Sequence, residues 1–136
     1  ATALDDRAGA LDLDPRDEQH KRCLDVVAAL TDTLVTTDPV LTEAFHMLGP
    51  GSANCAKFRE FVAAPALRRW VLDDERMRRT LDLMEQYENH PMDFADATLV
   101  SAAESLRVTT IFTLDRSDFT TYRPRIGRTL SRFRIL

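Results

Sequence analysis

Four acidic side chains stand where an α/β protein keeps its chemistry: Asp5, Glu43, Asp96 and Asp115. Asp5 follows the apolar run Thr2-Ala3-Leu4, and Glu43 lies in the first turns of a helix that follows Thr33-Leu34-Val35-Thr36. Asp96 is early in a helix, and Asp115 closes the strand-like run Val108 to Leu114. In an open α/β sheet, ligands bind beyond the carboxyl ends of the strands, so these acids converge if the strands run parallel and side by side. Gathered carboxylates cannot all stay ionised without a counter-ion. Hard oxygen donors suit Mg²⁺ or Mn²⁺, which retain several waters. Such a site fits phosphodiester hydrolysis, in which two metals roughly 3.5–4 Å apart activate water and stabilise the leaving oxygen. Taken singly, Asp93 and Asp96 also suit the positive end of a helix dipole, and Asp118 suits a turn before Phe119.

The elements that must position these acids are legible in outline. Thr2-Ala3-Leu4 reads as a brief strand. From Arg16, the spacing of Cys23, Val26, Val27 and Leu30 predicts a helix ending near Leu30. The β-branched run at 33–36 reads as a strand, Asp38-Pro39 as a helix start, and Gly49-Pro50-Gly51 as its stop. Ser52 to Ala63 fits a helix, Trp70-Val71-Leu72 a short strand, and Asp73-Asp74 the cap of a long helix. That helix is expected to turn Met77, Leu81, Met84 and Tyr87 inward and Arg76, Arg79, Asp82 and Glu85 outward. Phe94 to Leu106 is helical, Val108 to Leu114 is the strongest strand, and Phe133 to Leu136 a weaker one. Strands separated by helices imply a parallel sheet of four to five strands covered on both faces.

At 136 residues, with 44% hydrophobic and 29% charged side chains, the chain is expected to be one globular domain, residues 1–136. No apolar run is long enough for a membrane span and no secretory leader opens the sequence, so the expected location is the cytoplasm. Cys23 and Cys55 lack partners at disulfide or zinc spacing and read as buried thiols. The net charge of −4 hides an asymmetry: acids crowd the N-terminal third, while Arg116, Arg123, Arg125, Arg128, Arg132 and Arg134 fill the C-terminal tail. Such a cluster can hold phosphate even on an acidic protein, Arg116, Arg123 and Arg125 being the candidate phosphate contacts, or it can guard an edge strand. Asp12-Leu13-Asp14-Pro15 imitates a phosphatase motif without the buried strand it needs, and it lacks the glycine and glutamate of a calcium loop. Trp70, Phe58 and Phe61 read as core rather than a base-stacking platform, and His20, His46 and His90 as surface or cap residues.

Met92-Asp93-Phe94-Ala95-Asp96-Ala97 with its small, apolar continuation to Glu104, followed by Thr113-Leu114-Asp115-Arg116-Ser117-Asp118-Phe119, resembles the C-terminal half of a PIN domain. It is most similar to the VapC-type toxins of bacterial toxin–antitoxin systems. Thr36 to Ala44 resembles that family's second acidic motif, and Asp5 falls where its first aspartate stands. The resemblance implies a three-layer α/β/α fold and a Mg²⁺- or Mn²⁺-dependent endoribonuclease. It assigns Asp5, Glu43, Asp96 and Asp115 to the acidic quartet, Asp93 and Asp118 to accessory metal ligands, and Thr113 to a hydroxyl beside the site. It further implies a homodimer, an RNA substrate, and an antitoxin partner that is a small DNA-binding protein. The antitoxin is expected in a groove flanked by Val40, Phe45, Phe58 and Phe61. The alternative is a non-catalytic PIN-like module that binds RNA or protein, its N-terminal site impaired by Asp6, Arg7 and Asp12.

Overall fold

The structure, a computed structural model, describes residues 1–5, 25, 33–113 and 116–136, Arg116 by its backbone alone. The helix expected from Arg16 to Leu30, the decoy acids Asp12 and Asp14, and Cys23 fall outside these residues, as does Asp115.

The central sheet is built from β1 (Thr2–Leu4), β2 (Leu34–Thr37), β3 (Leu67–Trp70), β4 (Thr110–Phe112) and β7 (Arg134–Ile135), in the order β3-β2-β1-β4-β7. All four pairings are parallel. Every residue of β1 and β2 is buried, as central parallel strands covered on both faces require. The chain builds outward from β1 in one direction through β2 and β3, and in the other through β4 and β7. The order therefore reverses between β1 and β4, which is where an open parallel sheet leaves its ligand crevice.

Helix α1 (Asp38–Leu48) begins where β2 ends, with proline in its first turn, and Gly49 (φ 80°) stops it in the left-handed region that glycine tolerates. Helix α2 (Ala53–Ala63) is capped by the Ser52 hydroxyl, which accepts from the Cys55 amide at 3.0 Å. Asp73 caps α3 (Asp74–Gln86) in the same way. Helix α4 (Phe94–Leu106) is the core element: Ala95 and all seven residues from Ala97 to Ala103 are buried. Its small side chains let it lie against β2, α1 and α3 at once. Beyond β4 come α5 (Arg116–Thr121) and a separate two-stranded ribbon, β5 (Arg125–Ile126) with β6 (Thr129–Leu130).

Several elements depart from the sequence-based expectation. The third strand runs over 67–70 rather than 70–72, because Leu67 to Trp70 are the residues that pair with Leu34 to Thr37; Val71, beyond that ladder, is 67% exposed. The stripe on α3 is rotated. Thr80 and Leu83 are its buried residues, while Met77 and Leu81 face solvent and Met84 and Tyr87 pack only partly. Arg79, expected outside, turns towards α4, where its guanidinium meets Glu104. Helix α5 and the ribbon lie in a stretch assigned no element. Val40 and Phe58 are in the interior, and Phe58 meets Phe45 edge-on and stacks against Phe61, at centroid distances of 4.9 and 5.9 Å. They cannot flank an open groove. Cys55 is a buried free thiol, as expected, and Phe58 is core.

Candidate functional site

At the reversal point, Leu4 of β1 pairs with Phe112 of β4. The next residues are Asp5 and Thr113. The Asp5 amide donates to the Phe112 carbonyl at 3.1 Å, and the Thr113 hydroxyl donates to Asp5 Oδ2 at 2.6 Å. Both side chains have no exposed surface. A carboxylate so buried is costly unless hydrogen bonds or a cation compensate it; the threonine supplies one short, charge-assisted bond.

Two more buried hydroxyls order the neighbouring elements. Thr36, near the end of β2, donates to the Leu4 carbonyl at 3.1 Å, fastening β2 to the residue before Asp5. Thr37 occupies the N-cap position of α1, yet its hydroxyl makes no capping bond. It lies 2.7 Å from the Thr98 hydroxyl, and Thr98 donates its own proton to the Ala95 carbonyl at 2.7 Å. Thr37 is therefore the donor to Thr98. This two-bond chain joins the end of β2 to the first turns of α4, where Asp96 sits.

Asp96 is half-buried in the first turn of α4, and its amide is capped by Asp93 Oδ1 at 2.8 Å. Asp93 is thus the helix cap, with one carboxylate oxygen committed to that role. Glu43 is exposed on α1, whose Val40 and Ala44 face the core. Asp118 lies on α5, with Oδ1 3.0 Å from His90 Nε2; the pair ties α5 to the segment between α3 and α4. His90 in turn packs edge-on to Tyr122. Arg123 is half-buried and donates its amide to the Tyr87 hydroxyl, while Arg125 is exposed on β5.

Asp5, Thr113, Asp96 and Glu43 thus belong to elements that meet at one end of the sheet, with Asp5 and Thr113 in direct contact. Among the described residues, no three His, Cys, Asp or Glu side chains are close enough together to hold a metal ion. Asp115, two positions beyond Thr113, is outside that set. The donor chemistry, carboxylate oxygens with one of them fully buried, fits a hard divalent cation.

Sequence reasoning did not single out Glu104 or its partner. Glu104, with its side chain only 5% exposed, accepts from Arg79 Nε and Nη2 at 2.8 and 2.9 Å and from the Arg125 amide at 2.6 Å. The hydrogen bonds from Arg79 to Glu104 hold the guanidinium above its ordinary pKa, against the opposing effect of burial.

No protein-family model matches the chain, and no curated protein does. Solved structures do match. A VapC20 toxin of Mycobacterium tuberculosis, described as sarcin-ricin loop cleaving, has a TM-score of 0.78 at 16% identity, over 87% of this chain and 94% of that one. A toxin–antitoxin complex from Klebsiella pneumoniae has a TM-score of 0.65 at 16% identity, over 89% and 92%. VapBC2 of Rickettsia felis, bound to a DNA fragment from its promoter, has a TM-score of 0.66 at 14% identity, over 98% and 97%. The chain has the PIN-like fold of the VapC structures among them.

Proposed function

We propose that this chain is the toxin of a toxin–antitoxin pair, an endoribonuclease that hydrolyses RNA phosphodiester bonds with Mg²⁺ or Mn²⁺. The observation that carries the reading is the buried Asp5–Thr113 contact at the strand-order reversal of a VapC-like sheet. Asp5, Asp96 and Asp115 would hold the cation, Glu43 would complete the catalytic quartet, and Asp93 and Asp118 would assist as accessory ligands. When bound, the cation lowers the pKa of a water and stabilises the leaving oxygen. Thr113 holds the Asp5 carboxylate in one orientation, and the Thr37–Thr98 chain fixes the helix turn that carries Asp96. Asp93 fixes that same turn by capping it. Arg116, Arg123 and Arg125 would contact RNA phosphates.

An antitoxin partner follows from the same reading, since two of the structurally similar proteins are toxin–antitoxin complexes. An arginine from that partner would enter the acidic site and pair with its carboxylates. A homodimer is supported by the exposed Met77 and Leu81 on α3. The place of action would be the cytoplasm. Among the described residues, no helix is long and apolar enough to cross a membrane.

The test is incubation of the purified chain with total cellular RNA and Mn²⁺, with cleavage sites mapped, alongside Asp96→Asn and Asp115→Asn. Cut RNA from the wild type and intact RNA from both variants are expected, with melting temperatures in the absence of metal held or raised as carboxylate repulsion is relieved. RNA left intact by the wild type, with no Mn²⁺-dependent thermal stabilisation, would overturn the enzyme in favour of the non-catalytic module.

A further inference from the structure

Residues 119–136 contain five arginines and no acid, in a chain whose net charge is −4. Arg134 lies on β7, the edge of the central sheet, where a charge guards against edge pairing. Arg125, Arg128 and Arg132 have no such explanation. They are exposed and lie on or beside the β5–β6 ribbon, which stands apart from the central sheet. The ribbon turns at Gly127 (φ 63°) and is closed at its mouth by the Ser131 amide donating to the Pro124 carbonyl at 2.9 Å. Among the described residues, no carboxylate pairs with these three guanidinium groups.

A bare two-stranded ribbon is marginal in water. This one is held by Glu104, which accepts the Arg125 amide at 2.6 Å while its charge is matched by the bidentate Arg79. The bond uses the backbone of Arg125 and leaves its guanidinium outside. Glu104 is eight residues after Asp96 on α4, about 12 Å along the helix axis. The acidic end of the sheet, where RNA would be cut, repels a polyanion, so a strand of RNA needs cationic surface close by. The planar guanidinium fork matches phosphate oxygens.

We infer that the β5–β6 ribbon, with Arg125, Arg128 and Arg132, is a preformed grip for the phosphate backbone of single-stranded RNA, held in place by the Glu104–Arg79 pair. The identity of the anion rests on the reading of the chain as a ribonuclease. The test measures binding of a fluorescent single-stranded RNA to the full chain by anisotropy, with metal chelated so that the RNA survives, over a series of salt concentrations. The triple variant Arg125→Gln, Arg128→Gln, Arg132→Gln is compared with Arg59→Gln, Arg68→Gln, Arg78→Gln, which makes the same charge change at exposed arginines on α2, β3 and α3.

The ribbon variant is expected to bind at least about tenfold more weakly, and the slope of log affinity against log salt should flatten by about 2, near 0.7 for each phosphate that is no longer neutralised. The control should bind as the wild type does, and both should keep the wild-type melting temperature. Equal weakening of both variants, or of neither, overturns the grip. So does unchanged RNA affinity accompanied by loss of an acidic protein partner. If the wild type binds RNA through the ribbon yet cuts none when Mn²⁺ is restored, the ribonuclease reading fails and the grip stands.

Discussion

Thr113 and Asp5 are 108 residues apart in the chain and 2.6 Å apart in space, a contact made by the pairing of β4 with β1. The hydroxyl is the donor and both groups are sealed from solvent. Thr113→Val keeps the shape and removes the proton, leaving a buried carboxylate oxygen short of a donor. Such a loss costs about 1–3 kcal/mol. Urea unfolding should show it, with Thr113→Ser recovering most of the stability; equal stability of the valine variant would mean that the bond contributes nothing.

The hydroxyl chain from Thr37 through Thr98 to the Ala95 carbonyl predicts non-additivity. Thr98→Val strands the Thr37 proton in the interior and is expected to cost about 1–3 kcal/mol. Thr37→Val leaves Thr98 bonded to Ala95 and should cost less. In the double variant, the stranded donor is gone, so its destabilisation should fall below the sum of the singles by at least about 0.5 kcal/mol. Strict additivity would show that the two hydroxyls do not interact.

Glu104 links three parts of the fold through one carboxylate, with Arg79 on α3 and the Arg125 amide at the ribbon. Glu104→Ala strands a half-buried guanidinium and is expected to destabilise the chain by about 1–3 kcal/mol, less than breaking a fully buried pair because Arg79 keeps contact with water. Replacing both, Arg79→Met with Glu104→Leu, should recover much of that loss. Hydrogen exchange at Arg125 should accelerate in either case, and its failure to do so would detach the ribbon from this pair.

The legible parts of the molecule are those in which local pattern and tertiary role agree. Helix α4 was readable at both ends because Asp93 supplies a cap and the small residues that follow can only be interior. Asp5 is legible as a candidate because it follows a strand-like run, and Thr113 through the family resemblance alone; the structure places the two in contact. The rotation of α3 is not legible, because in sequence an arginine on an amphipathic helix points to solvent. The bidentate bond of Arg79 to Glu104 reverses that rule and swings Met77 and Leu81 outward. The ribbon has no signature in the sequence because two-residue strands have no periodicity. The His90–Asp118 contact joins residues 28 apart that no spacing rule connects.

The outward Met77 and Leu81 lead to the last prediction. They are one helical turn apart on α3, so they present a single apolar strip, and Leu81 is 53% exposed. An exposed apolar strip marks a candidate interaction surface, and a two-fold pair would bury it against itself, strip on strip. Leu81→Lys places two ammonium groups at that contact, whereas in a monomer the same change falls on solvent and should cost less than about 0.5 kcal/mol. Light scattering at micromolar concentration should give a wild-type mass near twice 15.4 kDa and a variant mass near 15.4 kDa, with an unchanged far-ultraviolet spectrum. A dimer that survives Leu81→Lys would put the interface elsewhere. A wild-type monomer would leave the strip to a different partner.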